Sequence, residues 1–469
     1  MPDSKRQEIK LEYLFLIFAI VFGVFTTFLV PPMISPDENT HFYNSYTDSR
    51  GQFFREVVDG RSGKYMPQGI IDFVEDGGGN YKNENYSYWK FYFSGALPTS
   101  EQSREEVFKE YFSSSSNPIC YAVPAIGMAV GNLLLPLLDS DYVLPYNLLL
   151  FGKLFNLAFY VIVVFFALKM TPCFKRTMFM LSLMPMSIAQ AASLSYDVPL
   201  IAFCFLLFAY TMRILADVDY RITWRDIVVI AVIAVFLCGI KQAYAPMMLI
   251  LFAIPRSRFG SWKRYFFAIG IVVAAGAVAY LAPSLINSAI YSAPADPNKV
   301  LQQEYLMNHL WEFPVIILRT MYHQRTFYME GFFGKLGQQD VNFPPTFIIL
   351  FYLLLAVVIF YDACEAKFVR YPVKLLAAAG CLIMMLGSYY AMYVGWTSLP
   401  EIGGIGVNYV TGIQGRYFIP ISIFIAMLFS NRFIKKPLKG SVALERSVSV
   451  AMPVFLGIML FLLLIRYWI

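Results

Sequence analysis

The chain has 469 residues, of which 58% are hydrophobic, 17% aromatic and only 14% charged, with a mean hydropathy of +0.56. Soluble domains carry about 25% charged residues, and no soluble core hides this much apolar surface; disordered chains are poor in aromatics and rich in charge, so disorder is excluded as well. The composition is that of a polytopic membrane protein, and the net charge of +6 says nothing about nucleic acid until the 37 Lys and Arg are placed.

A crossing helix needs roughly 20 apolar residues. The first apolar run, 11–30, has that length, lacks a small-residue cleavage pattern, and reads as an anchor. Directly after it comes the sharpest local signal, Pro31-Pro32-Met33-Ile34-Ser35-Pro36-Asp37-Glu38-Asn39-Thr40-His41-Phe42. Two adjacent carboxylates and a histidine follow a proline-stiffened exit. Ser35 or Asp37 could cap a helix beginning near Glu38. Asp37 and His41, four residues apart, would share a helical face and could act as a pair. A carboxylate here can serve as general base toward a hydroxyl, or ligate a divalent cation such as Mg2+ or Mn2+ through Asp37 and Glu38.

Residues 31–142 form a long polar loop, with Asp76-Gly77-Gly78-Gly79-Asn80 and the Ser113 to Ser116 run reading as flexible turns. It has too little apolar content for a domain of its own and is expected to pack over the membrane part as short helices. Within it, 119–138 is apolar but interrupted by Pro124, Gly127, Gly131 and Pro136, as suits an interfacial helix. Further crossings are expected at 143–168, 177–194, 197–216, 227–240, 243–254, 265–284, 345–362, 373–394, 415–430 and 449–466, making eleven. A second loop covers 285–344.

Positive charge sets the sidedness. With 119–138 not crossing, the loops bearing Lys169, Lys175 and Arg176; Arg213, Arg221 and Arg225; Arg256, Arg258, Lys263 and Arg264; Lys367, Arg370 and Lys374; and Arg432, Lys435, Lys436, Lys439 and Arg446 all share the side of Lys5, Arg6 and Lys10. The N-terminus is then cytoplasmic, the C-terminus outside, and both large loops extracytoplasmic. The 227–254 hairpin is short, so its tip, Lys241-Gln242, would lie below the outer surface. A cation there needs water or a partner, which makes Lys241 part of a cavity wall.

Other polar interruptions lie at the same outer ends: Asp197 after Ser195-Tyr196, Arg416 in Gln414-Gly415-Arg416-Tyr417, and Lys335 in Gly334-Lys335-Leu336-Gly337. Each has a bland alternative, as helix cap, snorkelling cation or exposed loop residue. Jointly they place cations and carboxylates around one cavity. Arg416 suits a phosphate because its guanidinium is a bidentate fork, while Gly415 would let backbone N–H groups approach. A carboxylate base beside phosphate-binding cations is equipment for transferring a group from a lipid phosphate. His309 and His323 lack metal-ligand spacing and read as structural. The six cysteines fall singly and read as buried thiols. No nucleotide-binding motif and no internal repeat is present.

On these residues the chain resembles the GT-C superfamily of membrane glycosyltransferases and, more closely, the family of predicted membrane proteins catalogued as domain of unknown function 2142. The resemblance rests on Ser35 to Phe42, on Gln414-Gly415-Arg416-Tyr417-Phe418-Ile419-Pro420, and with less specificity on Asn117-Pro118 before Tyr121, Leu194 to Asp197, and Gly334 to Gly337. It implies an all-α, GT-C-like fold forming one membrane domain over 1–469, with short juxtamembrane helices in the two outer loops. The implied reaction moves a sugar from an undecaprenyl-phosphate type donor to a cell-surface glycan, polymer or lipid-linked acceptor at the outer face of a bacterial plasma membrane. By the same resemblance Asp37-Glu38-Asn39 matches the acidic motif of the first outer loop, with Asp37 as base and Glu38 as alternate base or metal ligand. The family pattern leads one to expect an acid after Gly334, and the nearest is Asp340. Gln414, Tyr417 and Tyr196 complete the candidate site. A transporter or flippase of lipid-linked sugars, and a non-catalytic subunit of surface-polymer assembly, are the rival functions; the gathering of the candidate charges at one side favours the enzyme.

Overall fold

The computed structural model describes residues 9–77, 87–88, 105–138, 144–292, 296–431 and 441–469. Lys5, Arg6, the Gly78-Gly79-Asn80 part of the glycine-rich run, Arg432, Lys435, Lys436 and Lys439 lie outside them. The described chain is mainly helical, as the hydropathy requires. Among the described residues, seven helices are long and apolar enough to cross a membrane: α1 (Leu11–Leu29), α5 (Pro145–Met170), α8 (Asp197–Ala216), α10 (Trp262–Ile290), α14 (Pro345–Glu365), α15 (Tyr371–Met392, continued to Thr397 by a π turn) and α17 (Ser441–Tyr467). The helices numbered between these are shorter and are given below.

The expected 177–194 crossing is two helices, α6 (Lys175–Ser182) and α7 (Pro185–Ala191), broken where Pro185 removes an N–H and opens the second as its first residue. In the short hairpin, α9 (Trp224–Ile240) begins three residues earlier than its apolar run, because Thr223 and Asp226 form a reciprocal capping box. The second arm, Gln242–Ala253, is a 3-10 helix. At about 2.0 Å per residue its twelve residues reach roughly 24 Å, where an α-helix would reach about 18 Å. Lys241 sits at the break with extended backbone. The 415–430 segment is a 3-10 turn, Gly415–Phe418, leading into α16 (Ile419–Leu428).

Two ends of the bundle are defined by contacts. At one, Lys175 reaches Glu12 (3.2 Å) and Arg176 reaches Asp362 (2.7 Å) and Glu365 (2.5 Å). At the other, the Trp468 indole donates to the Leu29 carbonyl (2.9 Å), so α1 and α17 finish together.

That second end carries a headpiece. It contains the expected short helices, α2 (Glu38–Ser49), α3 (Gln68–Gly77) and α4 (Ala122–Leu138), and also an antiparallel sheet that the sequence did not announce. Its strands are β1 (Glu56–Val58), β2 (Arg61–Pro67) and β3 (Glu106–Glu110), in the order β1-β2-β3, with Gly63 opposite both Glu56 and Glu110. Lys64 crosses from the sheet to Asp48 of α2 (3.0 Å), both nearly inaccessible. The headpiece core, which includes Met33, Phe42, Met66, Phe73 and Tyr111, is shared with Met128 of α4 and with Leu148 and Leu149 of α5, so it is seated on the membrane helices rather than separate from them. The Ser113 to Ser116 run is not a flexible turn. It begins in a 3-10 turn, Phe112–Ser115, held by Asn44, whose amide donates to the Ser113 carbonyl and hydroxyl. The second loop is helical as well: α10 runs on to Ile290, followed by α11 (Pro297–Asn308), α12 (Glu312–His323), α13 (Arg325–Phe333) and a Leu336–Val341 bridge.

Candidate functional site

Four charged residues from four distant segments meet at the headpiece end. Asp37 precedes α2 with φ +58°, a left-handed conformation that Asp tolerates better than most residues. Its carboxylate does not cap the helix. It stands 69% exposed at the mouth of the site, with Arg416 Nη2 at 3.8 Å. Arg416 is 8% exposed and its Nε lies 3.6 Å from the buried carboxylate of Asp197. The other oxygen of Asp197 takes Lys241 Nζ at 2.9 Å. Asp197 is therefore an ion-pair partner, not a helix cap, and Lys241 is not a snorkelling cation: its ammonium lies 4.3 Å from the Tyr417 ring and 4.9 Å from the Tyr196 ring. Two carboxylates and two cations alternate in a line, Asp37, Arg416, Asp197, Lys241, with no net charge.

His41 lies beneath this line. It is buried, 5.0 Å from the Tyr196 ring, with its Nδ1 3.3 Å from the Tyr121 hydroxyl. Burial lowers its pKa from 6.5 to about 4, against the pull of Asp37 and Asp197, with Arg416 and Lys241 adding to the lowering. The imidazole is neutral at physiological pH. Its contact is with Tyr121, so the expected Asp37–His41 pair gives way to a His41–Tyr121 pair.

Three sequence expectations are corrected here. Glu38 is neither an alternate base nor a ligand beside Asp37: it points into the protein, where Lys153 Nζ sits 3.0 Å from its carboxylate and both side chains are almost wholly inaccessible. The two adjacent acids thus diverge, and together they do not fit a cation; among the described residues no group of three His, Cys, Asp or Glu side chains comes together to hold one. Asp340 is committed to α17, accepting from Arg466 Nε and the Tyr467 hydroxyl, both at 2.9 Å. Gly415 offers no open backbone to a ligand, because it is pressed against α13: a Cβ there would meet the Tyr328 carbonyl and the Phe332 amide. Its role is close packing that seats Arg416.

Lys335 reaches Glu330 (3.4 Å) and joins Arg416, Gln190 and Ser35 around a cavity of about 20 Å3, room for one water-sized group. The Arg416 Nε and Gln190 Oε1 atoms are buried there without hydrogen-bond partners. Gln414 is half-buried and contributes its carbonyl to Tyr417 N–H. His309 stacks on Tyr305 and His323 is exposed, both away from the charges. From close to Lys241, the 3-10 arm leads into an apolar cleft of about 360 Å3 against α9, α10 and α15, lined from Ala245 to Ile254 and by Ile227, Val272 and Ile383. Sequence reasoning gave no role to Lys153, Tyr121 or Gln190. Lys153 was discoverable, since a cation in the interior of an apolar helix, unlike Lys169 in its last turn, demands a partner.

The apolar helices, the buried ion pairs and the headpiece define a multi-pass membrane protein. The model of the predicted membrane protein family DUF2142 matches residues 20–425, and the chain belongs to that family. No curated protein and no solved structure matches it.

Proposed function

We propose that this protein is a membrane glycosyltransferase using a polyprenyl-phosphate sugar, working at the outer face of a bacterial plasma membrane. The observation that carries the reading is an exposed carboxylate, Asp37, held 3.8 Å from a buried arginine whose Nε has no hydrogen bond. The acceptor hydroxyl gives its proton to Asp37 while its oxygen attacks the anomeric carbon from the face opposite the phosphate. The bond from anomeric carbon to phosphate oxygen breaks, the phosphate leaves with the electron pair, and the configuration inverts. Protonation of Asp37 removes the negative charge facing Arg416 just as charge develops on the phosphate, so the guanidinium is released to the leaving group. Charge stabilisation of this kind is commonly the largest catalytic contribution. The apolar cleft along the 3-10 arm, from Ala245 to Ile254, suits the lipid chain.

A charged cluster also exists at the opposite end, where Lys175 and Arg176 pair with Glu12, Asp362 and Glu365. Met178, Met180, Leu183 and Met184 between the two ends are fully buried in the main apolar core. That packing favours transfer over transport. The test is donor turnover in vesicles containing polyprenyl-phosphate sugar and extracted envelope glycan. New glycosidic bonds, lost at least 100-fold in Asp37→Asn, are expected; Asn is chosen because it too tolerates φ above zero. Donor crossing the bilayer with no new bond would replace the reading with a transporter, and full activity in Asp37→Asn would remove Asp37 as the base.

A further inference from the structure

The α10 helix is apolar and membrane-length, yet its final three turns carry Tyr280, Ser284, Asn287 and Ser288 at i, i+4, i+7 and i+8, a single polar stripe. The same region contains Pro283, which has no N–H to give the Ala279 carbonyl. Asn117 of the headpiece supplies the missing donor at 2.7 Å. The Arg55 guanidinium donates to the Asn287 carbonyl (2.8 Å) and to the Tyr291 carbonyl, and Asn287 donates to the Ser115 carbonyl (3.1 Å). The stripe therefore faces the headpiece, and between the two lies a polar pocket of about 350 Å3, within the range of small-molecule sites. Gln242, the residue after Lys241, forms part of its wall.

Two of its atoms are buried and unsatisfied: Asn287 Oδ1, on a side chain only 6% exposed, and Arg55 Nε. A buried polar atom without a partner costs about 1–3 kcal/mol, so these two atoms favour a polar ligand in the pocket. Arg55 is the one charged residue lining it, and no described carboxylate neutralises it. The hydroxyls of Ser115, Ser284 and Ser288, the Asn and Gln amides and the Tyr280 ring are the groups that hydrogen-bond and stack on polyols.

We propose that this pocket binds a sugar unit carrying one anionic group, a uronate or a sugar phosphate, as the acceptor end of a glycan. Arg55 pairs with the anionic group, Asn287 Oδ1 and the serines take the hydroxyls, and Gln242 links the pocket to the Lys241 end of the charged line. The acceptor role rests on the transferase reading; the binding does not.

The experiment titrates the full-length protein in nanodiscs with a uronate disaccharide, a hexose 6-phosphate and a neutral disaccharide, read by saturation-transfer NMR. At least one anionic probe is expected to bind tenfold or more tightly than the neutral sugar, with Arg55→Gln reducing it to the neutral level. Ser284→Leu, which fills the pocket without touching the bonds of Arg55, should abolish binding of every probe, and it decides the matter if Arg55→Gln fails to fold. Equal binding of neutral and anionic sugars, no binding, or retention in Ser284→Leu overturns the site. Binding without glycosyl transfer would leave the site and overturn only its acceptor role; transfer without binding would overturn the site and leave the transferase reading standing.

Discussion

The Glu38–Lys153 pair yields the sharpest quantitative prediction, because both side chains are at most 1% exposed and only 3.0 Å apart. Removing one member of such a pair leaves an uncompensated buried charge, at a cost of about 3–5 kcal/mol. Glu38→Gln strands the Lys153 ammonium inside the protein, and Lys153→Met strands the Glu38 carboxylate. The double variant removes both charges, and replacing a buried pair by neutral groups of similar size is often neutral or stabilising. Unfolding entropy of about 2.1 cal/mol/K per residue makes 1 kcal/mol worth roughly 1 °C in a chain of this size. Each single variant should therefore lose about 3–5 °C of apparent Tm in detergent, and the double should regain most of it. Transfer activity per folded molecule should survive in the double, since neither residue faces the mouth of the site. A double variant as unstable as either single would refute the pairing, and a stable but inactive double would restore Glu38 to the chemistry.

Arg416→Lys keeps the charge but loses the fork that spans Asp37 and Asp197, and should lower turnover about 10²–10³-fold with stability nearly intact, measured as initial rates in vesicles. Gly415→Ala should abolish the close approach to α13 and lower both apparent Tm and activity, whereas Gly457→Ala, where a Cβ meets nothing, should change neither. His41 holds a proton in the unfolded chain below pH 6.5 but in the folded protein only below about 4. Its contribution is therefore a loss of stability as pH falls through that window, of about 3 kcal/mol. His41→Gln should flatten the acid limb of the Tm–pH curve; an unchanged limb would show that other groups set it.

Hydropathy made the membrane helices legible, and charges at helix ends made Asp37, Asp197, Lys241 and Arg416 legible as a set, because an ionised group beside an apolar run must find a partner. What the partner would be was not legible. Asp37 and Glu38 are neighbours in sequence, but the left-handed turn at Asp37 sends one outward and the other inward. The sheet was hidden because β2, Arg-Ser-Gly-Lys-Tyr-Met-Pro, buries its lysine in an ion pair and shows no alternation. The twelve-residue arm after Lys241 looked too short because its 3-10 rise has no signature in composition.

The Pro283 helix also has a consequence for how the molecule is made. The Ala279 carbonyl and its donor, Asn117, are 162 residues apart, so the headpiece is synthesised long before the helix it must complete. Until they meet, α10 carries the unfilled Ala279 carbonyl, and an unpaired backbone group of a membrane helix is costly. The early headpiece thus serves as a waiting dock, and α10 gains its full preference for the membrane only once it has been received.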